Sequence, residues 1–253
     1  MSNVAQFARG LDVGEWQLRV DLAAAFRLAA MFDWHEAVAN HFSVAVSADG
    51  SRFLINPKWR HFAGIRASEL LLLDANDPAT MDRPDAPDAS AWAIHGRMHA
   101  RVPHARCILH LHPPYATAIA ALRDPSIPPI EQNTARYFNR IAIDHGFAGI
   151  ADDVAEGERL AGVLGNHRRM MMGNHGVLVV GGSVGAAFDD LYYLERACQT
   201  VVLARSTGQA LNVMSDALAE RTAQGWDAYG GAGVAHFEEL KRMLDAKDPS
   251  YAS

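Results

Sequence analysis

The segment Cys107-Ile-Leu-His-Leu-His112 constrains this chain more than any other stretch of it. The apolar residues around His110 read as a buried strand, where an imidazole without a partner is costly. Along an extended strand the side chains alternate between faces. His110 and His112 therefore project from one side, close enough to hold a single metal ion. A further histidine lies in Gly173-Asn-His175-Gly176, a glycine-flanked turn between two more apolar strands. Three neutral imidazoles converging from strand ends suit Zn²⁺, Mn²⁺ or Fe²⁺ and leave positions open for water or substrate. The other reading of the pair is two ordinary histidines closing a strand, and the two residues alone do not choose.

The rest of the chain supplies short strands and helices in alternation. Residues 15–32 carry apolar positions at helical spacing, among them Trp16, Val20, Ala23, Phe26 and Met31. Phe42 to Val46 and Arg52 to Asn56 flank Ala48-Asp49-Gly50 and read as a β-hairpin. Leu70 to Asp74 reads as a strand, and residues 75–89, rich in proline and aspartate, as a loop. Ser90 is the expected cap of a helix to Arg101 that Pro103 stops, and Pro114 opens a helix to Leu122. Tyr137 to Ile143 is expected as a strand, Val154 to Gly165 as a helix, and Arg169 to Met172 and Val177 to Val180 as strands. Ser183 caps the longest predicted helix, 184–206, and the remainder reads as helical with a break at Gly230-Gly231-Ala-Gly233. This alternation predicts a layered α/β/α domain, and the hairpins predict a mixed, mainly antiparallel sheet. No linker divides the 253 residues, so a single domain is expected.

Composition narrows the function classes. A formal charge of −6 with no basic stripe argues against nucleic acid as a partner. No apolar run has the roughly 18 residues of a membrane span. Met1 to Gly10 lacks a charged start and an apolar stretch, so no secretory signal is expected and the expected location is cytoplasmic. Cys107 and Cys198 both sit in apolar patterns and read as buried thiols. His61, His99, His104 and His167 lie in polar segments and read as solvated surface groups.

The blocks Asn40-His-Phe-Ser-Val44, Phe53-Leu-Ile-Asn-Pro57, Ile108-Leu-His-Leu-His-Pro-Pro-Tyr-Ala-Thr117 and Met172-Gly-Asn-His-Gly-Val-Leu-Val-Val180 resemble the class II aldolase/adducin family over residues 16–206. The likeness is nearest to its adducin-like bacterial branch. The resemblance implies an α/β/α sandwich, usually a homotetramer; residues 207–253, beyond its reach, read as a helical extension. It also implies a divalent metal, Zn²⁺ foremost with Mn²⁺ or Fe²⁺ also suited, held by His110, His112 and His175. In the family's sugar-phosphate enzymes that metal binds hydroxy-carbonyl oxygens and stabilises an enediolate.

Two departures matter. Catalytic members carry an acid/base carboxylate in a Ser-Ser-Glu-type turn, which here reads Ala89-Ser90-Ala91. The small residues that cradle a phosphate are replaced by Asn56-Pro57-Lys58-Trp59-Arg60. Glu131 is the candidate replacement acid/base, in a region that family members sometimes extend across a subunit interface. The alternative is an exposed loop glutamate. His95 is a candidate proton carrier or fourth ligand, and otherwise a helix histidine packed on its neighbours. Tyr115 either lines the pocket or packs in the core. Asn40, His41, Asn133 and Tyr137 are candidate substrate contacts. Lys58 and Arg60 are read as neutralising a substrate carboxylate or as solvated surface. Glu195 is expected to pair with a neighbour. The expected function is metal-dependent C–C bond cleavage, by retro-aldol or decarboxylation, in a small hydroxy- or carboxy-substituted substrate. The alternative is a non-catalytic adducin-like metal-binding oligomer.

Overall fold

The computed structural model describes residues 13–147 and 149–253; the reading of Met1 to Gly10 falls outside them. Strands β1 (His41–Ala45), β2 (Arg52–Ile55), β3 (Leu71–Asp74), β4 (Cys107–Leu111), β5 (Ala142–Asp144), β6 (Arg169–Met172) and β7 (Gly176–Gly181) form one sheet in the order β3-β2-β1-β4-β7-β6-β5. Among the described residues only β5 and β6 pair in parallel. The helices are α1 (Val13–Met31), α2 (Ala89–Arg101), α3 (Pro114–Ala120), α4 (Gln132–Ala135), α5 (Val154–Leu164), α6 (Val184–Ser206), α7 (Asp216–Ala228) and α8 (Ala232–Lys247). The result is a three-layer α/β/α sandwich around a mixed, mostly antiparallel sheet.

The two-residue alternation of each strand sorts the core into two halves. Phe42, Val44, Cys107, Leu109, Leu111, Val177 and Val179 face α1, α6 and α8, against Phe26, Phe188 and Phe237. Ile108, Leu178 and Val180 face α2 and α5, against Ile94, Met98 and Leu160. His110 follows Ile108 by two residues, and His41 and Ser43 alternate with Phe42 and Val44. All three polar side chains therefore lie on the α2/α5 side. The α2–α5 contact is close: a Cβ on Gly157 would stand 2.1 Å from the Ala93 carbonyl oxygen, so only glycine fits.

Two local expectations are corrected. Asp88, not Ser90, caps α2, because its carboxylate accepts both the Ser90 backbone N–H (3.0 Å) and the Ser90 hydroxyl (2.7 Å). The segment from Tyr137 continues in helical turns after α4, and only Ala142–Asp144 is strand. Tyr137 is buried there with its hydroxyl donating to the Asp190 carbonyl at 2.9 Å, an anchor on α6 that a strand at this position would lose. The long helix begins and ends as expected, with Ser183 accepting from the Ala186 N–H at 3.2 Å. Both cysteines are buried, Cys107 in β4 and Cys198 in α6, and burial pushes both thiols up from their ordinary range.

Candidate metal centre

β1, β4 and β7 are neighbours, and their register sets His41 directly opposite His110. His112 follows β4 by one residue, before the double proline that opens α3. The carboxylate of Glu195, buried on α6, fixes this junction by accepting the N–H groups of Tyr115 (2.9 Å) and Ala116 (2.8 Å). Burial raises the Glu195 carboxyl, and the two N–H donors oppose that shift. The third histidine comes from the turn between β6 and β7. Gly173 donates to the Asp144 carbonyl at 2.8 Å, Asn174 to the Ala120 carbonyl at 3.1 Å, and His175 to the Met172 carbonyl at 3.0 Å. Asn174 takes the left-handed conformation (φ 56°), which asparagine tolerates and which turns the chain tightly enough to aim His175 back at β4.

One ligand nitrogen from each of His110, His112 and His175 lies within 4.8 Å of the others. Their hydrogen bonds decide which nitrogens are free. His110 Nδ1–H donates to the Val177 carbonyl at 3.0 Å, leaving Nε2 bare. His112 Nδ1–H donates to the Glu36 carboxylate, and its Nε2 is buried with no partner among the described residues. A carboxylate behind a ligating histidine sets the ring's tautomer and raises its basicity. Burial, then the His41, His175 and His112 charges, holds His110 well below the ordinary imidazole value. Burial and the neighbouring His112 hold His175 at about 4. These rings are neutral at pH 7, the form that binds a metal. The donor set thus fits a divalent cation.

The cluster forms part of the wall of a cavity of about 800 Å³, with Glu36, His41, Ser90, Thr117 and Phe147 among its other walls. Gly176 backs the cluster. A Cβ there would stand 2.4 Å from His112 Cδ2 and 2.7 Å from the Leu111 carbonyl oxygen. Gly176→Ala is therefore expected to displace the His112 ring and to weaken zinc binding by at least the ~10–100-fold typical of a lost supporting contact. Equilibrium titration with zinc measures this, and an unchanged affinity would show that the ring has room to move.

The other predicted residues divide into three groups. His41 lines the cavity and is buried. Burial foremost, with the His175 and His112 charges and against Asp88, holds it at about 3. His95 is fully buried behind His41, with His95 Nε2 and His41 Nδ1 2.8 Å apart. Asn40 and Lys58 line an adjoining cavity of about 180 Å³ that shares His41 and Ser90 with the first. There Asn40 Nδ2 has no partner among the described residues, and Lys58 Nζ lies 3.7 Å from Asp88. The remaining residues are outside both cavity walls. Arg60 pairs with Glu69 at 2.6 Å. Glu131 caps α4, accepting from Asn133 N–H (2.8 Å) and Thr134 N–H (2.6 Å). Asn133 belongs to that cap, Tyr137 is bound to Asp190, and the Tyr115 side chain packs against the core.

Glu36 and Asp88 are the groups the sequence reading missed. Glu36 sits in a polar loop 76 residues from the histidine it supports, with no local pattern to mark it. Asp88 is two residues before Ser90, so a cap reading centred on Ser90 passed over it. His99, read as a surface group, is buried at 3% exposure, because it lies one helical turn after His95 on the face of α2 that meets the sheet.

The pattern of the class II aldolase and adducin N-terminal domain matches residues 20–202. A putative aldolase class 2 protein of Caulobacter vibrioides is 31% identical over 243 residues, covering 94% of this chain and 93% of that one. The crystal structure of an aldolase II superfamily protein from Pseudomonas syringae superposes with a TM-score of 0.86 at 34% identity, over 96% of this chain and 98% of that one. L-fuculose 1-phosphate aldolase from Glaciozyma antarctica PI12 shares the fold, with a TM-score of 0.77 at 21% identity over 94% and 92% of the two chains. With the matched pattern spanning most of its length, the chain belongs to the class II aldolase and adducin family.

Proposed function

We propose that the protein is a divalent-metal-dependent lyase that cleaves a C–C bond, by retro-aldol or decarboxylation chemistry, in a small hydroxy- or carboxy-substituted substrate. The observation that carries this reading is the convergence of three imidazoles, with bare nitrogens on His110 and His112, in a cavity large enough for a small metabolite. His110, His112 and His175 would hold the ion, Zn²⁺ foremost with Mn²⁺ or Fe²⁺ equally compatible with imidazole ligands. When bound, the ion supplies a Lewis acid that draws carbanion charge onto a substrate oxygen.

The chain's own residues do the positioning. Lys58 and Asn40 line the adjoining cavity, and the Lys58 ammonium suits a substrate carboxylate there. His41 and Ser90 stand between the two cavities and would meet whatever joins the carboxylate to the metal-facing oxygens. Ala91 lines the wall of this second cavity where catalytic relatives carry a carboxylate, so the reaction is not that of an unmodified sugar-phosphate aldolase. Glu131 can serve as acid/base only from a neighbouring subunit, which ties its role to assembly as a homotetramer. Tyr115 and His95 then act behind the cavity wall.

Removing metal with a chelator is expected to abolish turnover on a panel of small hydroxy acids, and returning zinc to restore it. Release of CO₂ identifies decarboxylation, and release of an aldehyde identifies retro-aldol cleavage. Activity that survives complete metal removal would sink the reading. In the tetramer Glu131→Gln should slow turnover by the ~10²–10⁴-fold that a positioned proton donor contributes. An unchanged rate would remove Glu131 from the reaction. The missing carboxylate at Ala91 also supports a second reading, a non-catalytic metal-binding oligomer. Stoichiometric metal with neither product from any substrate would favour it.

A further inference from the structure

Behind the cavity wall a single file of polar side chains runs through otherwise apolar packing. The Ser90 hydroxyl donates to Asp88 at 2.7 Å and lies 3.3 Å from His41 Nε2. His41 Nδ1 is 2.8 Å from His95 Nε2. His95 Nδ1 is 2.5 Å from Ser43 Oγ, and Ser43 Oγ is 2.7 Å from His99 Nε2. His41, Ser43, His95 and His99 are each at most 5% exposed. The spacing follows from the elements: His41 and Ser43 are two apart on β1 and share its α2-facing side. His95 and His99 are four apart on α2, and their rings bracket Ser43.

Buried polar atoms must be matched donor to acceptor, and that rule gives this file a direction. Asp88, as a carboxylate, has no proton to give, so the Ser90 hydrogen points to it. His41 Nε2 then meets only lone pairs on Ser90 Oγ and must itself carry a hydrogen. A buried, neutral imidazole carries one, so His41 Nδ1 is bare and accepts from His95 Nε2–H. By the same step His95 Nδ1 accepts the Ser43 hydroxyl, and Ser43 Oγ accepts from His99 Nε2–H. The file ends on His99 Nδ1, which has no hydrogen-bond partner among the described residues. The reverse direction would let His99 Nδ1–H donate toward the Ala105 carbonyl, but it would leave His41 Nε2 bare against the Ser90 lone pairs or draw the Ser90 hydroxyl off the Asp88 carboxylate, the one charge-assisted bond in the file.

We propose that Asp88, Ser90, His95, Ser43 and His99 are positioning residues that lock His41 as its neutral Nε2–H tautomer. His41 then meets the substrate as a hydrogen-bond donor beside the three ligands, and acts neither as a fourth ligand nor as a base. A neutral imidazole N–H fixed in place polarises a carbonyl or carboxylate oxygen without reorganising as charge develops. This catalytic use rests on the lyase reading, whereas the tautomer does not.

The test is long-range ¹H–¹⁵N correlation on the metal-free protein, labelled with ¹⁵N-histidine, at pH 7. His41, His95 and His99 should each show a protonated-type Nε2 and an unprotonated-type Nδ1. His95→Leu should convert His41 from one tautomer to a mixture. His95→Gln, which retains an N–H donor toward His41 Nδ1, should return it to one. An Nδ1–H or mixed His41 in the wild type, or a His41 unaltered by His95→Leu, would overturn the proposal. If the leucine variant fails to fold, the wild-type spectrum alone decides. Adding zinc should move the ring nitrogens of His110, His112 and His175 and leave the His41 tautomer in place; a metal-bound signature on His41 Nε2 would also overturn the proposal. An intact tautomer with no zinc response at the three histidines would support it and count against the lyase reading instead.

Discussion

His112→Ala is expected to abolish stoichiometric zinc binding, and with it any metal-dependent turnover. His112 is the ring whose bare nitrogen is buried and unpartnered while its other nitrogen is tied to Glu36, so its removal takes away both a ligand and that ligand's support. The supporting contact can be measured separately. Glu36→Ala leaves all three imidazoles and should cost ~10–100-fold in affinity, the usual effect of deleting a carboxylate behind a ligating histidine. The ligand deletion must cost more than that. Titration calorimetry on the two variants orders the effects, and a His112→Ala protein within tenfold of wild-type affinity would place the metal elsewhere.

Acid is expected to unfold the metal-free protein steeply between about pH 6 and pH 4. In the unfolded chain the histidines titrate near their ordinary value of ~6.5. In the folded protein burial holds His41 and His99 at about 3, with Arg106 adding to the effect on His99, and holds His175 at about 4. His95 and His110 lie well below the ordinary value for the same reason. Each folded-state value is depressed, so the native protein binds fewer protons than the unfolded chain throughout this window. Stability is therefore full above ~6.5 and falls as pH drops toward the folded values. Each such imidazole contributes a slope of ~1.4 kcal/mol per pH unit, and the group together ~7, against a total of ~5–15 kcal/mol for a typical domain. Circular dichroism against pH should show one sharp loss of helix, displaced to lower pH by saturating zinc, because a ligand of the folded state opposes the protons. A native spectrum retained at pH 4 without metal would contradict the buried-neutral assignment.

The three-histidine cluster was legible because its pattern is local: His110 and His112 alternate along one extended segment, and His175 sits in a glycine-bounded turn. The long helix was legible for a similar reason, since Ser183 and the apolar period after it are contiguous. What the sequence hid depends on contacts between distant segments. Glu36 meets His112 only after the sheet has closed, and nothing in its own loop announces that. His99 looked like a surface residue because Arg97 and Arg101 flank it, whereas its exposure is set by which face of α2 lies on the sheet. Tyr137 misled in the opposite sense, since its aromatic, apolar surroundings have strand character while its hydroxyl anchors a turn to α6. Ala91 was visible as a departure, but the file of histidines beside it required β1 and α2 to be packed together first.

The two buried thiols make the fold its own clock. A thiolate-seeking reagent cannot reach Cys107 or Cys198 in the closed molecule, so each is modified only during the moments when β4 or α6 comes away from its neighbours. Cys107 shares its strand with His110, and Cys198 lies on the helix whose Glu195 fastens the chain just after His112. The ratio of the two modification rates therefore tells whether the strand carrying His110 breathes by itself or only when the whole molecule opens.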